Sequence, residues 1–162
     1  YEDNPPVWEP DVDKEHWQLG QRIKGFETIN SIKEKRTDLN IVVSSRTTTY
    51  FEYLELVMRS KVCLELPGVG NLTTRFFENL QLDKCILGKK IYLELPYEII
   101  PETHYASVDD WNQLEDRMDE LINDQEKRFD IIRNVKKLQP KLTYEYAFNQ
   151  MMKTIENWLT KL

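Results

Sequence analysis

The sequence predicts an α/β protein: a single Rossmann-like, doubly wound parallel sheet closed by C-terminal helices. Three observations predict it. Short apolar runs alternate with amphipathic helical stretches in the order strand–helix–strand–helix–strand. The runs are continuously apolar, as strands buried on both faces are. The length, 162 residues, is one domain's worth of chain and enough for a sizeable core.

Composition narrows the function classes. The net charge of −6 and isoelectric point near 5.1 argue against a nucleic-acid binder, which carries a basic footprint. No apolar run is long enough to span a bilayer, and no secretory signal pattern is present. Cys63 and Cys85 both fall in apolar runs and read as free buried thiols. That usage favours a reducing compartment, so the expected location is cytoplasmic, with peripheral membrane attachment left open. Asn71-Leu72-Thr73 is also a glycosylation sequon, but a glycan there would block the loop that reads as the site.

Residues 1–13 hold Pro5, Pro6 and Pro10 among acids and read as an extended arm, with the domain proper at 14–162. Asp11-Val12-Asp13 has the form of a metal-binding Asp-x-Asp, but it lies in a Pro-rich polar segment and reads as solvated acids. Over residues 14–36, Leu19, Ile23, Phe26 and Ile29 recur at helical spacing, with Asp13 as a cap and Gly20 and Gly25 as weak points. A second parse makes residues 16–20 a short strand and starts the helix near Lys24.

Residues 39–43 read as a strand, followed by a loop that carries Arg46. Thr49 and Glu52 form a capping-box pattern, and Tyr50, Tyr53, Leu54, Val57 and Met58 read as that helix's buried face. Lys61-Val62-Cys63-Leu64-Glu65-Leu66 is the next strand, stopped by Pro67. Gly68 and Gly70 then allow a sharp turn and close approach of a ligand. Asn71, Thr73 and Thr74 are candidate caps for the helix that follows, whose free N–H groups suit a phosphate. Arg75 in the first turn opposes the helix dipole and calls for a nearby anion, and Glu78 follows three residues on.

Residues 84–88 form another strand, with Lys89 and Lys90 behind it. Residues 91–100 are broken by Pro96 and read as irregular, and 104–108 as the last strand. Asp110 and Gln113 make a second capping box. Trp111, Leu114, Met118, Leu121 and Ile122 mark one helix face. Phe129, Ile132, Val135 and Leu138 mark the next, stopped by Pro140, and Phe148, Met151, Met152, Ile155, Trp158 and Leu159 mark the last. In a parallel sheet the loops after the strands collect on one edge, where ligands bind. Arg46, the 67–74 loop, Arg75, Lys89 and Lys90 would meet there as a basic cluster suited to a diphosphate.

The run from Tyr53 to Leu64, then Pro67-Gly68-Val69-Gly70, Thr74-Arg75-Phe76-Phe77-Glu78-Asn79-Leu80 and Lys84-Cys85-Ile86-Leu87, resembles the C-terminal half of a GT-B-fold glycosyltransferase. The likeness is to the glycosyl-transferase group 1 sort, CgeB-like or exostosin-like, and covers roughly residues 39–160. The resemblance implies that Glu78 accepts hydrogen bonds from ribose hydroxyls, and that the 70–74 amides with Arg75 hold the diphosphate. Its donor is a nucleotide-sugar such as a UDP-sugar, with no cofactor and no metal required. It also implies an acceptor-binding N-terminal half, without which the chain is an incomplete enzyme. Retaining members carry a further Glu eight residues before the ribose Glu, where this chain has Gly70. Gly20-Gln21-Arg22 and Lys24-Gly25 echo, with compressed spacing, a Gly-x-Arg and Lys-Gly pair of such members. The alternative reading is a non-catalytic nucleotide- or phosphate-binding regulatory module.

Overall fold

The computed structural model describes residues 18–43, 49–68, 72–93, 95 and 97–160. The chain is a mixed α/β protein. Its elements run α1 (Gln18–Lys35), α2 (Tyr50–Arg59), β1 (Val62–Glu65), α3 (Thr74–Gln81), β2 (Cys85–Lys89), β3 (Ala106–Val108), α4 (Leu114–Asn123), α5 (Gln125–Leu138) and α6 (Tyr144–Leu159).

The sheet is parallel, in the order β1–β2–β3. Val62 pairs with Cys85 and Glu65 with Gly88, and Leu87 pairs with Ala106 on the far side of β2. The central strand β2 is buried from Cys85 to Gly88, as its apolar run predicts. Gly88 is needed there, because a Cβ would lie 3.0 Å from the Glu65 carbonyl oxygen.

Residues 39–43 form no strand, which corrects the reading of that apolar run. The side chains of Leu39, Ile41 and Val43 do pack on the core. However, the Ile41 N–H bonds the Leu39 carbonyl two residues back, a tight turn that withdraws a donor from any ladder. The sheet among the described residues therefore has three strands, fewer than the sequence pattern predicts.

Three helices pack on the sheet and a fourth packs on them. α3 packs on β1 and β2, α5 on β2, and α4 on β1 and β3, while α1 packs on α4. The core joins Phe76 and Leu80 of α3, Ile86 and Leu87 of β2, Tyr105, and Leu114, Leu121, Ile131 and Val135 of α4 and α5. Both capping boxes form as the sequence predicts, at Thr49–Glu52 and Asp110–Gln113. Arg128 of α5 is buried and donates to the Leu121 and Ile122 carbonyls, closing the C-terminal end of α4. Arg36, just past α1, bonds Asp119 and Glu115 of α4 and so ties the two helices together.

Helical faces differ from the pattern on α1, α2 and α6, and on α5, where Phe129 is exposed and Arg128 buried. On α1 the buried positions are Gln21, Gly25, Ile29 and Ile32, while Ile23 and Phe26 are exposed. A Cβ on Gly25 would lie 2.6 Å from Leu66 and 2.8 Å from Trp111, so this glycine is what lets α1 approach so closely. That contact rotates the helix away from its larger apolar residues. On α2 only Val57 is buried, and Tyr50 and Met58 face out. On α6 no residue is buried, and Phe148, Met151, Ile155, Trp158 and Leu159 all stay exposed. Among the described residues no helix is long and apolar enough to cross a membrane. The expected N-terminal arm, with Asp11 and Asp13, lies outside the described residues.

Candidate functional site

The C-terminal ends of β1, β2 and β3 carry the residues the sequence singles out. Gly68, Thr73, Thr74, Arg75, Glu78 and Lys89 are described; Arg46, Gly70 and Asn71 lie outside the described residues. The described ones form three groups along this edge.

The first group joins β1 to α3. Of the three candidate caps, Thr73 is the N-cap, with its hydroxyl accepting from the Phe76 N–H at 3.3 Å. The same hydroxyl donates to the Glu65 carboxylate at 2.5 Å. Glu65 is 8% exposed, at the end of a strand whose inward positions are Cys63 and Glu65. Burial pushes its carboxyl pKa up, while the Thr73 hydroxyl and nearby Arg22 and Arg75 pull the other way. Arg22 of α1 donates to the Pro67 carbonyl at 3.2 Å, so α1 helps hold the loop. Gly68 sits against Thr73, where a Cβ would come within 3.1 Å of its methyl.

The second group faces α2. The Arg75 guanidinium lies 5.2 Å from the centre of the Tyr53 ring, a cation–π contact. The Tyr53 hydroxyl donates to Asn79 at 3.4 Å. Burial, then the neighbouring Glu78 carboxylate, pushes the Tyr53 pKa up to about 12. Arg75 and Glu78 thus share one side of the first two turns of α3, half-open to solvent. Thr74 is exposed at the first helical position.

The third group lies at the ends of β2 and β3. Lys89 does not join Arg75. Its ammonium donates to the Asp109 carbonyl and lies 5.8 Å from the centre of the Trp111 ring. Burial lowers its pKa against the pull of Asp110 and Asp109. Lys24, Gln21, Glu27 and Thr28 of α1 complete a cavity of about 290 Å³ with Lys89, Asp109, Asp110, Trp111 and Asn112. A larger open depression, about 580 Å³, lies at the α4–α5 turn beside Asp119, Glu120, Asp124 and Glu126, of which Asp119 pairs with Arg36 and Glu120 with Arg117 and Lys127. Among the described residues, no group of three His, Cys, Asp or Glu side chains converges on a point that could hold a metal ion.

Three of these residues escape the sequence reading as part of the loop's support: Glu65, Arg22 and Tyr53. Glu65 could be found as the one carboxylate on the inward side of an otherwise apolar strand. Arg22 belongs to the Gly20-Gln21-Arg22 echo, and it reaches this edge. Nothing local marks Tyr53 as a partner of Arg75, since the contact spans two helices. Chemically, the edge offers the free N–H groups of a capped helix start, a cation and a carboxylate one turn apart, and a charged cavity beside them. The chain matches no family model, no curated protein and no solved structure.

Proposed function

We propose that the chain is the nucleotide-sugar-binding domain of a glycosyltransferase, a Rossmann-like, doubly wound half of a GT-B enzyme. The observation that carries this reading is the β1–α3 connection. Its helix start is capped by Thr73 and anchored on Glu65, with Arg75 and Glu78 on the following turns. Amides at the start of α3 donate to the diphosphate, with Arg75 as counter-charge. Glu78 accepts from the ribose hydroxyls, which a carboxylate does with both oxygens. In transfer, these fixed donors stabilise the leaving diphosphate as charge develops on it.

Sugar transfer then needs an acceptor-binding partner domain, which places the reaction in the cleft between the two. No metal or cofactor enters this scheme. Free, buried Cys63 and Cys85 suit a cytoplasmic setting. Calorimetric titration with UDP and with GDP tests the reading. The wild-type protein binds at least one of them, and Glu78→Ala binds it more weakly. Equal heats for the two proteins remove the ribose role, and absence of binding to both nucleotides overturns the reading.

A second reading, a non-catalytic phosphate-binding module, is favoured by the Thr73-capped start of α3, which suits a phosphate without any sugar chemistry, while two of the four expected cations engage the protein's own groups. Arg75 lies on Tyr53, and Lys89 bonds the Asp109 carbonyl. Orthophosphate binding as tightly as UDP would support this reading.

A further inference from the structure

The cavity between α1 and the end of β3 plays no part in the nucleotide scheme above. Its floor and rim differ in charge. At the floor lie Trp111, 4% exposed, and half-buried Lys89. Among the described residues the buried Trp111 indole N–H has no hydrogen-bond partner. Lys89 spends one of its three donors on the Asp109 carbonyl. Lys89 thus keeps donors for an incoming acceptor at the floor.

The rim carries exposed Lys24, Glu27, Asp109, Asp110 and Asn112. Among the described residues, none of the five charged side chains around this cavity is in an ion pair, whereas Arg36, Arg117, Lys127, Arg133 and Lys136 elsewhere are. Three rim carboxylates repel a dianion such as phosphate. A neutral ligand would leave half-buried Lys89 answered only by the Asp109 carbonyl and the Asp109 and Asp110 carboxylates. A single negative charge entering first, with donors trailing behind it, satisfies both ends. The volume, about 290 Å³, sits at the foot of the range for small-molecule sites.

We propose that this cavity binds a small carboxylate with hydrogen-bond donors next to its carboxyl group, an α-hydroxy or α-amino acid. The ligand carboxylate accepts from Lys89 beside the Trp111 ring, and its hydroxyl or ammonium donates to Asp109 and Asp110. Lys24 at the rim steers the anion inward.

The test is a nitrogen-15 titration of the full chain, following the Trp111 indole resonance, which Trp111→Phe identifies among the four tryptophans. The probes are L-serine, D-glycerate, acetate, ethanolamine and inorganic phosphate. The proposal predicts that serine, glycerate or both move the Trp111 signal at concentrations where acetate and ethanolamine do not. Movement with serine alone assigns an amino acid, and with glycerate alone a hydroxy acid. Lys89→Met, which keeps an aliphatic stem over the Trp111 ring, weakens binding about tenfold, the loss expected for one charge-assisted hydrogen bond. Asp109→Asn with Asp110→Asn, both on the exposed rim, removes the preference over acetate. A Trp111 signal unmoved by both acids overturns the proposal. So does phosphate binding tighter than either acid, or an unchanged preference in the rim variant. Because no nucleotide is involved, none of these results depends on the glycosyltransferase reading.

Discussion

The hydroxyl of Thr73 stands between two groups at once, donating to the buried Glu65 carboxylate at 2.5 Å and accepting from the Phe76 N–H at 3.3 Å. One side chain thereby ties the end of β1 to the start of α3. Removing it strands a buried carboxylate and uncaps the helix together. Thr73→Val should destabilise the protein by about 2–4 kcal/mol, the sum of a lost cap and an unsatisfied buried acceptor. Thr73→Ser, which keeps both bonds, should cost far less. Urea unfolding of the two variants measures the difference.

Glu65 also gives the protein a pH signature. Its folded carboxyl pKa is raised, so the folded state holds the proton more tightly than the unfolded chain does. Stability from this group is therefore greatest below the unfolded value, about 4.3, and declines as pH rises from there through the higher folded value. Glu65→Gln removes the titration. The variant should show a flatter stability profile across that window and gain on the wild type toward neutral pH.

Two glycines in one helix should respond in opposite directions. Gly20→Ala meets nothing within 4 Å and should stabilise α1 by about 0.5–1 kcal/mol. Gly25→Ala drives a methyl into Leu66 and Trp111 and should cost about 1–3 kcal/mol. Thermal or urea denaturation of the pair separates helix propensity from helix packing.

The apolar face of α6 contributes little to the folded core. Phe148→Ser or Trp158→Ser should change stability by no more than about 0.5 kcal/mol, whereas Ile131→Ala in the core should cost about 2–5 kcal/mol. Amide exchange should accordingly be fastest in α6 and slowest in β2.

Local signals proved the most legible in the sequence. The capping boxes at Thr49 and Asp110 and the α3 helix start rest on neighbouring residues, and each forms where the pattern sets it. What the sequence concealed depends on distant partners. An apolar run at 39–43 reads as a strand, yet a strand exists only when a neighbour supplies its ladder, and a local turn takes that donor first. Gly25 carries no apolar signal, so the close approach to Trp111 that rotates α1 could not be seen. Phe129 has the spacing of a core residue, but Arg128 takes the inward position to close α4. The same limit applies at the candidate site. Thr73 could be read as a cap, while the turn of Arg75 toward Tyr53 and of Lys89 toward Trp111 rests on contacts between elements.

The most direct test of the central proposal is amide chemical-shift mapping with UDP and with GDP on the full chain. The account predicts the largest shifts at Gly68 and at Thr73, Thr74 and Arg75, with Glu78→Ala reducing them. Largest shifts elsewhere, or none at saturating concentrations of either nucleotide, would contradict the assignment of this loop to the diphosphate.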